Sequence, residues 1–182
     1  YEIKNEDGVT VIHTELFTSG IGYLKVLFGT EVLRPEDLPY AGLLKAVLGY
    51  MDTDRHTYQD LASEIYLNSG GMDFSVGSYI SLENPKEFKG VFAVNVKVLY
   101  EKLDFAFEMM KEIFTSSHLE DEKRLGEILD ETKSRARMKL ESGSHSAAVA
   151  RATSYFSPTS VFNDQTGGIG FYHFLEEAAR RY

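Results

Sequence analysis

The sequence predicts an α+β fold: an antiparallel β-sheet with helices packed on one face. Three observations predict it. Phe92, Val94, Val96 and Val98 alternate with Ala93, Asn95 and Lys97, the period of a half-buried strand. Strand-like segments come in two pairs, divided by two helical stretches. The second half of the chain then repeats apolar residues at helical spacing, as in Leu103, Ala106, Met110 and Ile113.

Taken in order, residues 8–31 read as two strands. Val9, Val11 and Phe17 alternate with polar neighbours, and the run from Ile21 to Thr30 is rich in apolar and β-branched residues. Thr18-Ser19-Gly20 between them suits a hairpin turn. Gly8–Phe17, with Thr10, His13, Thr14 and Glu15, has the mixed character of a sheet edge. Pro35 opens a helical stretch through Leu38–Met51, whose broad apolar coverage predicts burial on more than one face. A second helix begins near Thr57, with Thr57 and Asp60 as a capping pair, and stops at Asn68-Ser69-Gly70-Gly71. Met72, Phe74 and Val76 restart a strand, and a polar loop through Asn84-Pro85 leads to the Phe92–Val98 strand. After the helix from Leu103 to Phe114, Ser117 and Glu120 resemble a second capping box. The next helix places Leu125, Ile128, Leu129, Ala136 and Leu140 on one side, and Gly143 breaks it. Ser144 to Phe156 reads as a small-residue helix, Pro158 as the start of an irregular stretch, and Phe171 to Tyr182 as a last helix. No linker or repeat divides the chain, so residues 1–182 are expected to form one domain.

Composition narrows the function. Hydrophobic residues at 43% and charged residues at 26% are those of a globular chain with a real core. A formal net charge of −9 and no long Lys/Arg cluster argue against a nucleic-acid partner. With no cysteine, disulfides, thiolate nucleophiles and Cys-based metal sites are excluded. No apolar run reaches the roughly 20 residues of a membrane span. A cytoplasmic or other intracellular compartment is the expectation. The chain starts at Tyr1 without Met and stops at Arg180-Arg181-Tyr182, so a piece of a longer polypeptide is expected.

A set of short segments then carries a resemblance. Thr18-Ser19-Gly20-Ile21-Gly22-Tyr23-Leu24, Leu38-Pro39-Tyr40, Tyr58-Gln59-Asp60-Leu61 and Ser69-Gly70-Gly71 occur in that order. Asp121-Glu122-Lys123-Arg124-Leu125, the basic Lys133 and Arg135, Gly143-Ser144-His145, Ala150-Arg151-Ala152-Thr153-Ser154-Tyr155-Phe156 and Gly167-Gly168-Ile169-Gly170-Phe171-Tyr172-His173 follow. Together they resemble the third domain of the presequence-protease branch of the pitrilysin/insulinase clan of zinc peptidases. The resemblance implies a four-domain parent whose two halves close around a chamber holding unfolded peptide. It implies zinc in the parent, bound by an H-x-x-E-H motif in the first domain. It implies a third domain that shares the fold, lacks the metal and forms chamber wall. The partners it implies are the other domains of the same polypeptide and the peptide. An inactive interaction subunit of a processing-peptidase-like complex is the alternative.

Zinc chemistry of that kind makes definite demands on the residues. It needs two His four apart on one helical face, with a Glu between them to activate water. By resemblance the motif helix corresponds to about Leu38–Met51, where Leu43, Ala46 and Val47 take the motif positions. None has a donor atom, so neither a catalytic nor a metal residue is assigned and no cofactor is expected in this chain. His173-Phe174-Leu175-Glu176-Glu177 imitates the motif with Glu177 in place of the second His, and reads as a solvated helix face. His118 with Glu122, His56 and His145 read as capping or surface residues. Ser144-His145-Ser146 is adjacency in sequence, which does not make a catalytic triad. His13 and Glu15, on one face of a strand, are the candidates for contact with peptide or a neighbouring domain.

Overall fold

A computed structural model describes residues 1–84 and 87–181. Its strongest element is the strand that the alternation marks. Strand β5 (Phe88–Leu99) lies between β3 (Ile21–Gly29) and β4 (Met72–Ile80), antiparallel to both. Val26 and Phe74 both face Val94 across the sheet. Side chains alternate between faces. The even-numbered residues Phe92, Val94, Val96 and Val98 are buried against α3 (Leu103–Ser116), through Ala106, Met109, Met110 and Ile113, and against Leu61 of α2 (Tyr58–Asn68). Helices thus gather on one face of the sheet, as expected.

Local chemistry explains the helix ends. Thr57 accepts from the backbone N–H of Asp60, so the predicted cap of α2 is present. Helix α1 (Leu38–Val47) follows a 3-10 turn at Pro35–Asp37. It ends four residues before the expected Met51, because Leu48 turns extended and Gly49 takes a left-handed φ of 82°. Helix α4 (Glu122–Ser142) is capped by Asp121, which accepts from Arg124 N–H. Ser117 and Glu120 therefore form no capping box. Ser117 instead donates to the Ile113 carbonyl and bridges to Thr53. Helix α5 (Ser144–Thr153) stops three residues short of Phe156.

The stretch after Pro158 is helical rather than irregular. In α6 (Pro158–Gly167) the proline sits in the first turn, where its missing N–H costs nothing, and Ser157 caps the helix. Helix α7 (Ile169–Arg181) begins before Phe171, and the expected final residue Tyr182 lies outside the described residues, as does Pro85. One buried carboxylate organises this region. Asp164 of α6 pairs with Arg151 of α5 and accepts from the N–H groups of Ile169 and Gly170 at 3.1 and 3.2 Å. It therefore caps α7 and ties α5 to it. Helix α1 packs close to both neighbours: a Cβ on Gly42 would lie 2.7 Å from the Thr166 carbonyl and 2.8 Å from the Phe171 ring.

The N-terminal region departs most from expectation. Thr18-Ser19-Gly20 does not join two paired strands. The hairpin is instead β1 (Glu2–Glu6) with β2 (Val9–His13), a separate two-stranded sheet. Its turn is Asp7-Gly8, with φ of 51° and 86°, the mirror-image turn whose twist matches paired strands. Every residue of both strands is exposed, so Gly8–Phe17 lies at an edge only in the sense that this hairpin has no other strand beside it. Among the described residues no helix is long and apolar enough to cross a membrane.

Burial sets an order of local stability. Amide hydrogen exchange is expected to be slowest at Phe92–Val98 and faster by about a hundredfold at Val9–His13, since an isolated hairpin is marginal. A monomeric sample in which Val9–His13 is the better protected would overturn that order.

Candidate functional site

The expected site residues fall in separate places. Leu43 and Ala46 of α1 are half-buried and Val47 is buried. Val47 packs with Met51 and Ile128, while Leu43 also reaches the cluster of Leu129, Phe171 and Leu175. All three offer hydrocarbon only, so the chemistry at these positions does not fit a zinc ion. They border two different depressions instead. Leu43 and Val47 line an apolar groove of about 590 Å³ with Phe28, Val32, Leu33 and Phe114. Ala46 lines a depression of about 570 Å³ on the other side of α1, bordered by Lys45, Asp73, Glu131 and Arg135.

The apolar groove exists because the chain leaves β3 and the α3 C-terminus partly uncovered. Phe28 and Phe114 meet with ring centroids 5.3 Å apart, and Phe114 also contacts Phe74 and Phe92 edge-on. Val32 is 89% exposed and Leu119 45%, so the groove has an open apolar rim. Lys45 does not reach it: its ammonium donates to the Thr166 carbonyl at 3.0 Å, and burial lowers its pKa, with a smaller contribution from Lys139.

Histidines take structural partners. His56 Nδ1 lies 2.7 Å from Glu112 Oε1 and donates to it, because a carboxylate only accepts. Thr53 donates to the same oxygen at 2.6 Å. Burial pushes the Glu112 carboxyl up, but the bonds from Thr53 and His56 and the charges of His56 and Arg55 outweigh it. The net effect holds Glu112 below the ordinary glutamate value. His118 pairs with Asp54 at 3.0 Å rather than with Glu122, and this hydrogen bond raises its pKa. The loop 52–57 is thus clamped to the end of α3 twice. On either side of that loop, Arg124 of α4 holds Tyr58 and Tyr50, its guanidinium 3.9 Å over the Tyr58 ring and its Nε donating to the Tyr50 carbonyl. His145 is exposed near the start of α5.

The imitation motif disperses. His173 Nδ1 lies 3.4 Å from Glu176, which also accepts from the Tyr172 hydroxyl, while Glu177 pairs with Arg181. Among the described residues no three His, Asp or Glu side chains gather as a metal ion requires. His13 ends β2, and Glu15 lies two residues beyond it. Both are exposed, and neither side chain has a hydrogen bond or ion pair among the described residues, although His13 is paired with Glu2 in the hairpin ladder. The sequence reading missed Glu112, Asp164 and the groove. Asp7-Gly8 was a legible hairpin signal that it passed over.

The sequence model of the family described as peptidase M-16C associated matches residues 1–177. Protein HypA of Clostridium perfringens is 30% identical over 175 residues, which is 96% of this chain and 18% of that protein. The mitochondrial presequence protease of Yarrowia lipolytica is 27% identical over 164 residues, covering 90% of this chain and 17% of that one. Presequence protease 1, chloroplastic/mitochondrial, of Arabidopsis thaliana is 25% identical over 181 residues, 99% of this chain and 17% of that protein. A crystal structure of a conserved protein from Enterococcus faecalis matches with a TM-score of 0.60 at 17% identity, covering 89% of this chain and 40% of that one, a likeness of fold. The chain spans less than a fifth of the length of these curated relatives.

Two outcomes follow from the side chains. The purified chain is expected to hold no stoichiometric zinc after dialysis. About one tightly held zinc per chain, lost in Glu176→Ala, would show that the α7 residues are a site. The second outcome is a pH window. Glu112, lowered in the fold, stabilises above about pH 4.5, and that contribution is lost as pH falls through its folded pKa. His118, raised in the fold, stabilises below about pH 6.5, and that contribution is lost as pH rises through its folded pKa. Both act together between those values. Glu112→Gln is expected to cost about 1–3 kcal/mol at neutral pH and to flatten the acid limb of a stability-versus-pH curve. An unchanged acid limb in that variant would remove Glu112 from the account.

Proposed function

The chain belongs to the peptidase M-16C associated family, and from that premise we propose that it is a non-catalytic wall domain of a larger zinc endopeptidase that encloses unfolded peptide. The observation that carries the proposal is the apolar groove beside α1. At the positions where the resemblance would seat metal ligands, Leu43 and Val47 present hydrocarbon to an open, apolar groove. Such a surface can hold apolar side chains and has no means of polarising an amide. In the parent, a zinc ion in another domain would supply the metal-bound water.

This chain's own work is then to bind and to exclude water. Val32, Leu33, Phe28, Tyr40, Phe114 and Leu119 would receive apolar side chains of the peptide or of a neighbouring domain. The exposed β1–β2 hairpin supports a contact role for His13, which ends it, and Glu15 follows at an exposed position outside the strand. A chain that spans under a fifth of its curated relatives supports a domain within a long polypeptide over a separate subunit. The flanking reading frame decides: an upstream H-x-x-E-H sequence supports the domain, and a frame confined to this region supports the subunit.

Binding without cleavage is the expected behaviour. A quenched, unfolded apolar peptide should bind this chain and stay intact over hours. Val32→Asp with Leu119→Asp, both at exposed positions, should weaken binding about tenfold and move the thermal midpoint by no more than about 2 °C. Cleavage that follows the chain through successive purifications, or binding unchanged in the double variant, would overturn the proposal.

A further inference from the structure

The helices cover one face of the sheet and leave the other. On the helix-free face stand the odd-numbered residues of β3, β5 and β4; Val91 and Ala93 of the central strand are buried there between their neighbours, and the rest of the face is half-buried or exposed. Tyr23, Lys25, Leu27, Tyr79, Lys89 and Lys97 are exposed there. The chain as a whole carries a formal charge of −9, yet the three strands place three lysines on this face against one acid, Asp73. Glu31 reaches over Gly29 at one end. None of the three lysines has an ion-pair or hydrogen-bond partner for its ammonium among the described residues. Lys97 lies 5.6 Å over the Tyr23 ring and Lys25 5.7 Å over the Tyr79 ring. These contacts hold the two charges over the sheet and leave their donors free. Asp73 is engaged by Asn95, which donates to it at 2.8 Å. Tyr23, Lys25, Asp73, Asn95 and Lys97 help line a depression of about 440 Å³.

Gly77 is the second, independent observation. It lies in the interior of β4 on the same face, paired with Val91. Glycine weakens a strand, so its presence needs a reason. Neither internal reason applies. Its φ is not among the positive values, and a Cβ there would meet nothing within 4 Å. With β4 paired without a break through this position, a strand glycine here is consistent with the close approach of a ligand or another backbone.

We propose that this open sheet face docks an extended peptide segment bearing carboxylate side chains, with its backbone over Gly77 and its acids at Lys25, Lys89 and Lys97. The inference rests on the reading of the chain as a peptide-enclosing wall and adds the charge class of what this face holds. Tyr23 and Tyr79 supply rigid, amphipathic contact area, and the lysines supply charge complementarity.

Three labelled peptides of one sequence pattern test it: one with Glu, one with Lys and one with Gln at the same positions, titrated against this chain by fluorescence anisotropy. At low salt the Glu peptide is expected to bind about tenfold more tightly than the Lys peptide, and the preference to shrink as salt rises. Lys25→Glu with Lys89→Glu and Lys97→Glu should reverse the order. The same reversals at Lys4, Lys111 and Lys123 should not. Gly77→Val should keep or raise the thermal midpoint, since valine suits a strand and the space is open, and should still weaken binding of the Glu peptide. That variant keeps the proposal testable should the triple reversal fail to fold. Equal affinity for the three peptides would overturn the acidic class and leave the peptide-wall reading standing. No binding of any peptide would overturn both. A reversal caused equally by the control lysines would overturn the assignment to this face.

Discussion

The molecule depends on the burial of one face of β5. Phe92, Val94, Val96 and Val98 are at most 7% exposed, and they form the surface on which α3 and α2 lie. Each such side chain contributes about 1.5–3 kcal/mol by leaving water. Because β5 is also the central strand between β3 and β4, the same residues set the register of both. A one-residue slip would turn Lys97 and Asn95 into the core. That constraint decides which face the helices take and which face is left to solvent.

Polar anchors complete what hydrophobic burial begins. Asp164 gathers α5, α6 and the start of α7 around one carboxylate. Glu112 does the same for the loop 52–57 and α3. Both are buried, and each has hydrogen-bond partners from other elements. No buried side-chain nitrogen or oxygen among the described residues lacks a partner. A buried acid without such partners would cost several kcal/mol, so these contacts specify the arrangement as much as they stabilise it.

Helix α1 joins fold and function. Its close approach to α6 and α7 is possible because Gly42 has no side chain, and Lys45 anchors it to the Thr166 carbonyl. With one side so engaged, Leu43 and Val47 still border the apolar groove. The helix that the resemblance aligns with a metal-binding helix is here a packing element with an apolar border, in keeping with an accessory domain of a peptidase.

Period and capping are local, and much of what they govern was legible in the sequence, although the α4 cap fell on Asp121 rather than on Ser117. The alternation along Phe92–Val98, the Thr57 cap, the Gly143 break and the donor-free Leu43, Ala46 and Val47 each rest on a few adjacent residues. What required contact between distant residues was not legible. Thr53 and Glu112 meet across 59 positions, and Lys45 and Thr166 across 121. Pro158 is compatible with a loop or with the first turn of a helix, and only the packing of Thr159 and Phe162 decided for α6. Two turn signals, Asp7-Gly8 and Thr18-Ser19-Gly20, competed for one hairpin, and strand pairing, a non-local interaction, chose between them. The groove and the open face of the sheet belong to the tertiary structure alone, because a surface exists only once its neighbours have been placed.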